Sequence, residues 1–320
     1  MISMKSSKII MRKLLFVFVL VLSIGQVVNA TTLDFSIGEN VVNMLDGEVS
    51  VHHSEACPYG EDDYVMVPIR IVAETFGAKV EWSDSDRTVT VICGEIIAKF
   101  VEGSSLAEVG GNIVDIGKAV VITNGRTMVP AEFLCEKFGY YMRKFESVIV
   151  LTNEKPVMRV GNEYIYLDEF ALMFNADRDK YEGEEELLAK SCISNLYDRC
   201  IMYNNGIVRG ITLDVDEINE IKSVADGSNS LKSVQTILLA KHRIADKFSD
   251  LLSAESIPDD DEVYEYFRGN YKDIDFNEQI REEIRYTLGY EKFVESWNRL
   301  YADTDDESFY EIDELIKLVK

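Results

Sequence analysis

Met66-Val67-Pro68-Ile69-Arg70, followed by Phe76-Gly77-Ala78, returns as Met128-Val129-Pro130-Ala131-Glu132, followed by Phe138-Gly139-Tyr140. The Pro and the Gly both recur at an interval of 62 residues. Proline presets the φ of a first helical turn and glycine permits the residue that stops one, so each copy predicts a short helix between the two. Ile69, Val72 and Phe76 in the first copy, and Phe133 and Phe138 in the second, supply its apolar face. After each Gly the pattern becomes that of strands. The first copy has Val80 and Trp82, a turn at Ser83-Asp84-Ser85-Asp86, and Thr88-Val89-Thr90-Val91-Ile92. The second has Tyr141, Arg143 and Phe145, then Val148-Ile149-Val150-Leu151. The unit is helix, strand, turn, strand, used twice.

Around this repeat, 320 residues with 47% hydrophobic and 10% aromatic content provide apolar material for one or two packed cores. Disordered, collagen-like and disulfide-scaffold chains are excluded. With 33 Lys+Arg against 57 Asp+Glu, the formal net charge is −24, which argues against nucleic acid as a partner. Three histidines (His52, His53 and His242) leave few imidazoles for catalysis or metal binding. His52 and His53 are adjacent, and on a strand successive side chains face opposite ways, so a shared metal is not expected there.

Lys5, Lys8, Arg12 and Lys13 precede an apolar run from Leu14 to Leu22, which gives way to small and polar residues ending in Val28-Asn29-Ala30. That order predicts a secretory signal peptide over 1–30, cleaved after Ala30, with an uncleaved anchor as the alternative. The run is about half of the 20 residues a bilayer span requires. No later stretch is long enough to span, so no stable membrane insertion is expected after cleavage. Cys192 and Cys200 lie eight residues apart in a helical pattern, about 12 Å, too far for a disulfide. Most of the five cysteines read as small buried hydrophobes, with a pair among Cys57, Cys93 and Cys135 left open.

The motifs Met66-Val67-Pro68-Ile69-Arg70, Phe76-Gly77-Ala78-Lys79-Val80-Glu81-Trp82 and Asn124-Gly125-Arg126-Thr127-Met128-Val129-Pro130 resemble the small α+β domain named for the N-terminal stalk of copper amine oxidases. The resemblance covers roughly residues 35–152, implies a surface-held spacer or recognition module, and extends to exported proteins of bacteria. It brings no amine oxidase chemistry, which in that family belongs to a catalytic domain with a histidine pair and an Asn-Tyr-Asp/Glu motif. The nearest string here is Asn270-Tyr271-Lys272. In the second copy Glu132 stands where the first has Arg70, so a role for that arginine does not carry across.

Thr152-Asn153-Glu154-Lys155-Pro156 is a polar connector, after which the period changes. Two short strands about Gly161-Asn162 and a helix start at Leu167-Asp168-Glu169-Phe170 are expected. Leu188, Cys192, Leu196 and Cys200 mark a long amphipathic helix that ends at Gly206 to Gly210. Asp214 with Glu217, and Asp259 with Glu262, have the spacing of capping boxes. Further helices are expected from about Leu231 to Leu252, from Pro258, and along Phe276, Ile280, Ile284, Leu288, Phe293, Trp297 and Leu300, with a break at Asp226-Gly227-Ser228-Asn229-Ser230.

The strings Val160-Gly161-Asn162-Glu163-Tyr164-Ile165, Arg209-Gly210-Ile211-Thr212 and Ile257-Pro258-Asp259-Asp260-Asp261-Glu262-Val263-Tyr264 resemble the chaperone domain of SurA/PrsA-type foldases, relatives of trigger factor. That likeness covers about 157–300. In its isomerase members a parvulin domain follows the helix corresponding to Val263–Arg268, whereas here Gly269-Asn270-Tyr271-Lys272-Asp273 runs directly toward the closing helix. The resemblance therefore implies noncatalytic binding of unfolded or extended polypeptide.

The expected architecture is α+β: a signal peptide (1–30), a duplicated stalk-type α+β module (31–152), a linker (153–156), a mainly helical SurA-like domain (157–302) and an acidic C-terminal tail (303–320). Tyr264, Phe267, Tyr286, Tyr290, Phe293 and Trp297 are the candidates to line a client groove, since aromatics give contact area at low entropic cost. Asp303, Asp305, Asp306 and Glu307 read as a solvated loop rather than a cation site. No P-loop, Ser-His-Asp set, G-x-G-x-x-G, H-E-x-x-H or EF-hand spacing occurs, so no catalytic residue, metal or cofactor is expected. The functional expectation is a noncatalytic chaperone at a bacterial surface. The rival is an envelope adhesion or scaffold module docking one folded partner, and a weaker one a peptidyl-prolyl isomerase relative with residual activity.

Overall fold

The computed structural model describes residues 31–46, 48–225, 232–272 and 274–319. The expected signal peptide and the break at 226–230 lie outside them. The chain is mixed α+β and divides into two compact units. One comprises the residues up to Lys155 together with Asn219–Leu238, and the other Pro156–Ile218 with Leu239–Lys320.

The first unit is built on the pairing of two strands that end in proline. Strand β5 (Tyr64–Pro68) leads into helix α1 (Ile69–Thr75), and β12 (Arg126–Pro130) leads into α2 (Ala131–Phe138). Pro68 and Pro130 occupy the N-cap positions at φ −65° and −62°, one residue earlier than a first-turn proline. β5 and β12 are antiparallel with Met66 opposite Pro130, Val67 opposite Val129 and Pro68 opposite Met128. Val67 and Val129, 62 residues apart, thus face one another with the flanking pairs exchanged about them, and a local pseudo-twofold axis passes through the Val67–Val129 pair. Both valines are fully buried. Helix α1 packs on β12 and α2 packs on β5, the same exchange seen from each side. Gly77 and Gly139 end the two helical segments at φ +83° and +73°, where a Cβ would be strained.

The duplication extends further than the sequence motifs. The hairpin β6 (Lys79–Ser83) and β7 (Thr88–Cys93) matches β13 (Tyr141–Phe145) and β14 (Val148–Thr152), with a connecting turn two residues shorter in the second copy. The hairpin partner β4 (Tyr59–Glu61) matches β11 (Val121–Thr123). Three-stranded meanders complete the copies: β1 (Thr32–Ser36), β2 (Val41–Asp46) and β3 (Glu48–His53), and β8 (Ile96–Val101), β9 (Leu106–Val109) and β10 (Asn112–Asp115). Leu33, Phe35 and Val42 correspond to Ala98, Phe100 and Ala107, each 65 residues on and each buried.

Each meander extends the hairpin of the other copy. The sheets run β13-β14-β1-β2-β3 and β6-β7-β8-β9-β10, flanking the central β11-β12-β5-β4. Leu33 pairs with Leu151 as Ala98 pairs with Val91, so the registers also correspond. One hydrophobic cluster, including Phe35, Val67, Phe100, Val129 and Leu134, joins both copies. The start of α6 (Lys232–Glu255) belongs to this unit, placing Val234 and Ile237 against Val148 and Val150. Asp34 there accepts hydrogen bonds from Ser233 and Asn43, and burial holds its carboxyl above the ordinary value.

In the second unit β15 (Met158–Val160) pairs with β16 (Glu163–Ile165) and with β17 (Asp306–Ser308). Residues beyond 302, which sequence alone suggests to be a charge-rich tail, are thus part of the fold. β17 closes the small sheet, and α9 (Ile312–Leu318) buries Leu315 and Ile316 and packs on α4 (Glu185–Val208). Arg159 anchors the returning strand through Asp305 at 3.0 Å. Helix α3 (Leu167–Asp177) precedes α4, and the chain leaves this unit in the first turn of α5 (Val215–Ala225), opened by the expected Asp214–Glu217 capping box with both bonds at 2.9 Å. Gly206 lets α4 approach α6: a Cβ there would stand 2.9 Å from Cγ2 of Ile244.

This approach encloses charge. Lys241 Nζ lies 2.5 Å from Glu163 Oε2 and 5.4 Å from the ring centre of Tyr203. Both ends of that pair are mostly enclosed, so removing one partner leaves an uncompensated charge. His242 stands next in the chain, and burial, then the nearby Arg199 and Lys241 cations, hold its pKa well below the ordinary 6.5.

Truncating Val67 or Val129 to Ala should each cost about 2 kcal/mol of stability. In a double-mutant cycle the two should couple by at least about 0.5 kcal/mol, because they share one contact. Urea unfolding followed by Trp82 fluorescence measures both, and strict additivity would contradict the pairing. A second expectation concerns pH. An unfolded chain protonates His242 near pH 6.5 while the folded one resists, so stability from this group is intact above that pH and falls as pH drops below it. His242→Gln should flatten the loss of thermal stability between about pH 6.5 and 5, relative to the parent chain.

Candidate functional site

The expected client-binding residues lie on two helices of the second unit, α7 (Asp260–Asn270) and α8 (Glu278–Ala302). Local chemistry starts both. Asp259 accepts from the Glu262 N–H at 2.8 Å, and the Glu262 side chain accepts from the Asp259 N–H at 3.0 Å, a complete capping box. Asn277 caps α8 by accepting from Ile280 N at 3.1 Å. Residues 271–277 connect the helices.

The two helices pack through a narrow apolar seam. Val263 and Ile284 are fully buried, and no other residue of either helix falls in the buried class. Lys292 with Glu262 at 2.9 Å, and Arg285 with Asp260, bridge the pair. Such exposed ion pairs add at most about 1 kcal/mol each, so the hairpin is held mainly by a thin hydrophobic contact. At Gly289 α8 passes beside the chain before α7, where a Cβ would make ordinary contact, 3.5 Å from both Pro258 Cδ and Ser256 O.

The six aromatic candidates do not line one concavity. Tyr264 and Phe267 join Phe276 and Tyr271 at the connected end of the hairpin, with ring centres 5.5 Å (Tyr264–Phe276), 4.8 Å (Phe267–Phe276) and 5.5 Å (Phe267–Tyr271) apart. Arg281 covers Phe276 at 5.3 Å. Tyr286 and Tyr290, one turn apart on α8, are 77% and 62% exposed, and Phe293 is half-buried. Trp297 belongs to a separate cluster, 5.0 Å from Tyr301, whose ring is 5.3 Å from Tyr197 on α4. There the Tyr301 hydroxyl donates to Asp198, and burial raises the pKa of both groups. Ile257 (63% exposed) and Ile274 (51% exposed) add apolar surface beside the hairpin.

A cavity of about 360 Å³ opens between α4, α6 and α8. Phe248, Leu252 and Leu300 give it an apolar floor, and Arg209, Lys292 and Arg299 a cationic rim. Each of these cations has an acidic partner: Glu255, Glu262 and Glu295 respectively. Sequence periodicity placed Leu300 on an apolar stripe but gave no sign of this cavity, because its residues come from helices far apart in the chain.

The polar chemistry elsewhere is quiet. All five cysteines are free thiols, which leaves the open pairing among Cys57, Cys93 and Cys135 unmade. Burial pushes the thiols of Cys135, Cys192 and Cys200 up to about 12, so none is a ready nucleophile. His52 and His53 lie exposed on β3, and Ser50 Oγ is 2.9 Å from His52 Nε2. Among the described residues no group of three His, Cys, Asp or Glu side chains is placed to hold a metal ion. No helix among them is long and apolar enough to cross a membrane.

Comparison with known proteins bears on the first unit. The family model for the copper amine oxidase N-terminal domain matches residues 44–146, about a third of the chain, from within β2 to the turn between β13 and β14. No curated protein matches the chain. Residues 44–146 are therefore a copper amine oxidase N-terminal domain.

Proposed function

We propose that this protein is a noncatalytic chaperone of the bacterial cell surface, in which the helical unit holds unfolded or extended polypeptide and the stalk-type unit serves as spacer or recognition module. The observation that carries the reading is the exposed apolar surface of the hairpin: Tyr264, Tyr286 and Tyr290 stand out from helices that share a narrow seam, with Ile257 and Ile274 exposed on the chain beside them. Helices so lightly packed together can separate and repack around segments of differing shape, as promiscuous binding requires. Exposed apolar side chains gathered along one helical hairpin are a candidate interaction surface.

Three further features support the same reading. Strings within residues 157–300 resemble SurA/PrsA-type chaperone domains, a resemblance that implies binding of extended polypeptide. The direct connection at 271–277 accords with binding alone, without an isomerase domain. A formal net charge of −24 keeps a protein with exposed tyrosines soluble and favours neutral or basic clients. The surface location rests on the signal-peptide pattern in residues 1–30.

Light scattering of heat-aggregating citrate synthase tests the proposal. The full chain should suppress aggregation near equimolar ratio. Tyr286→Ser combined with Tyr290→Ser, two exposed changes that leave the seam intact, should require several times more protein for the same protection. Unchanged scattering in the presence of the parent chain would sink the holdase reading and leave docking of one folded partner in its place.

A further inference from the structure

The two copies in the first unit differ at one pair of equivalent places. In the second copy the Glu132 carboxylate reaches the edge of β5 and accepts the Val65 N–H with both oxygens, at 3.0 and 3.2 Å. Val65 lies one residue outside the stretch paired with β12, and its N–H points past the end of that strand. By the 62-residue correspondence, Thr127 stands one residue outside the same ladder on β12, and strand alternation aims its N–H past the end of β5. The counterpart of Glu132 there is Arg70, which turns away, donating to Val80 O at 3.0 Å and Glu74 at 2.8 Å.

The space left open is a cavity of about 460 Å³ whose lining includes Thr127, Arg70, Arg126, Trp82, Ile71 and His53. Trp82 occupies the position that Lys144 has in the other copy, where Lys144 helps hold Glu132 ionised. The second copy thus supplies its own carboxylate and cation at the strand end, while the first offers guanidinium groups and an indole, and the Glu74 carboxylate of the lining is turned to Arg70 rather than to Thr127.

We propose that this cavity is a binding site for a small carboxylate ligand, the carboxylate taking the place at Thr127 that Glu132 takes at Val65, between Arg70 and Arg126 and with its organic part against Trp82 and Ile71. Arginine suits the task because its planar fork meets a carboxylate through two hydrogen bonds. The present partners of both guanidiniums, Glu74 and Glu55, are 47% and 67% exposed, so these ion pairs are weak and readily exchanged. The site is independent of the helical unit and of the chaperone reading.

Fluorescence of Trp82 reports it directly, using the full chain with Trp297→Phe so that Trp82 is the remaining one of the 2 tryptophans. The probes are N-acetyl-Ala-Ala with a free C-terminus, its C-terminal amide, and N-acetyl-Ala-Glu-amide, which carries only a side-chain carboxylate. A saturable change with either acid, and none with the Ala-Ala amide, supports the site, and the better acid identifies the source of the carboxylate. Arg126→Gln should weaken the response about tenfold. Arg70→Glu should abolish it while keeping the melting temperature, because it rebuilds in the first copy the internal plug of the second. An equal response to the amide, no response up to millimolar ligand, or an Arg70→Glu chain that folds and still binds would each overturn the proposal.

Discussion

The first unit depends on the antiparallel contact between Val67 and Val129. Because β5 and β12 cross at equivalent residues, pairing them generates a pseudo-twofold axis, and everything attached to one strand must recur about it. The prolines fit this arrangement for a simple reason. The Val65 N–H points to the β12 side, so alternation sends the Val67 N–H the same way and leaves the missing N–H of Pro68 on the other side, where the pairing does not need it. Each strand can therefore end in a residue that preorganises the next helix without losing a ladder bond between the copies. The exchange of meanders follows. β7 and β14 each need a further neighbour, and the strands entering the opposite copy supply it, so neither half buries its core alone.

What the sequence disclosed about this fold, and what it did not, divides along the same line. The Pro-to-Gly helices and the hairpins after them were legible because φ limits and two-residue alternation are local properties. The meander half of the duplication was not. Its buried positions hold Leu33, Phe35 and Val42 in one copy and Ala98, Phe100 and Ala107 in the other, so only the aromatic survives as a matching letter. The correspondence appears only through pairing, Leu33 with Leu151 and Ala98 with Val91, and the first of these joins opposite ends of the unit. In the helical unit both Asp-to-Glu caps were readable from three-residue spacing. That Asp306–Ser308 would close a sheet with Met158–Val160 was not, since a three-residue acidic strand carries no alternation to detect.

The aromatic residues show the limit of periodicity as a guide to function. A stripe at three- and four-residue spacing says which side chains share a helix face, not what covers them. Phe276, Ile284 and Trp297 all belong to one such stripe, yet the first sits in the cluster with Tyr264 and Phe267, the second in the seam, and the third against Tyr301. Tyr286 and Tyr290 fall outside the seam face and remain in solvent. The separation is energetic as well as geometric: buried aromatics such as Phe170 and Phe174 already fill the core of the unit, so hairpin aromatics add little to it. Leaving them uncovered costs hydration free energy that burial of the same rings would recover.

Duplication explains why the two units invite different chemistry. A folded pseudo-dimer begins with two equivalent edge positions, and stability requires only that each strand N–H at those edges be satisfied by something. In the second copy Glu132 meets that need from within the chain, at the cost of a partly desolvated carboxylate whose pKa burial raises. In the first copy Arg70 cannot, because a guanidinium has donors and no acceptor, and it donates to Val80 O and Glu74 instead. One inherited geometry thus yields a structural plug on one side and an open seat on the other, and the difference rests on the exchange of an acceptor for a donor at a single equivalent position. The helical unit has no second copy of itself to close its hairpin, and Tyr264, Tyr286 and Tyr290 stand exposed on it.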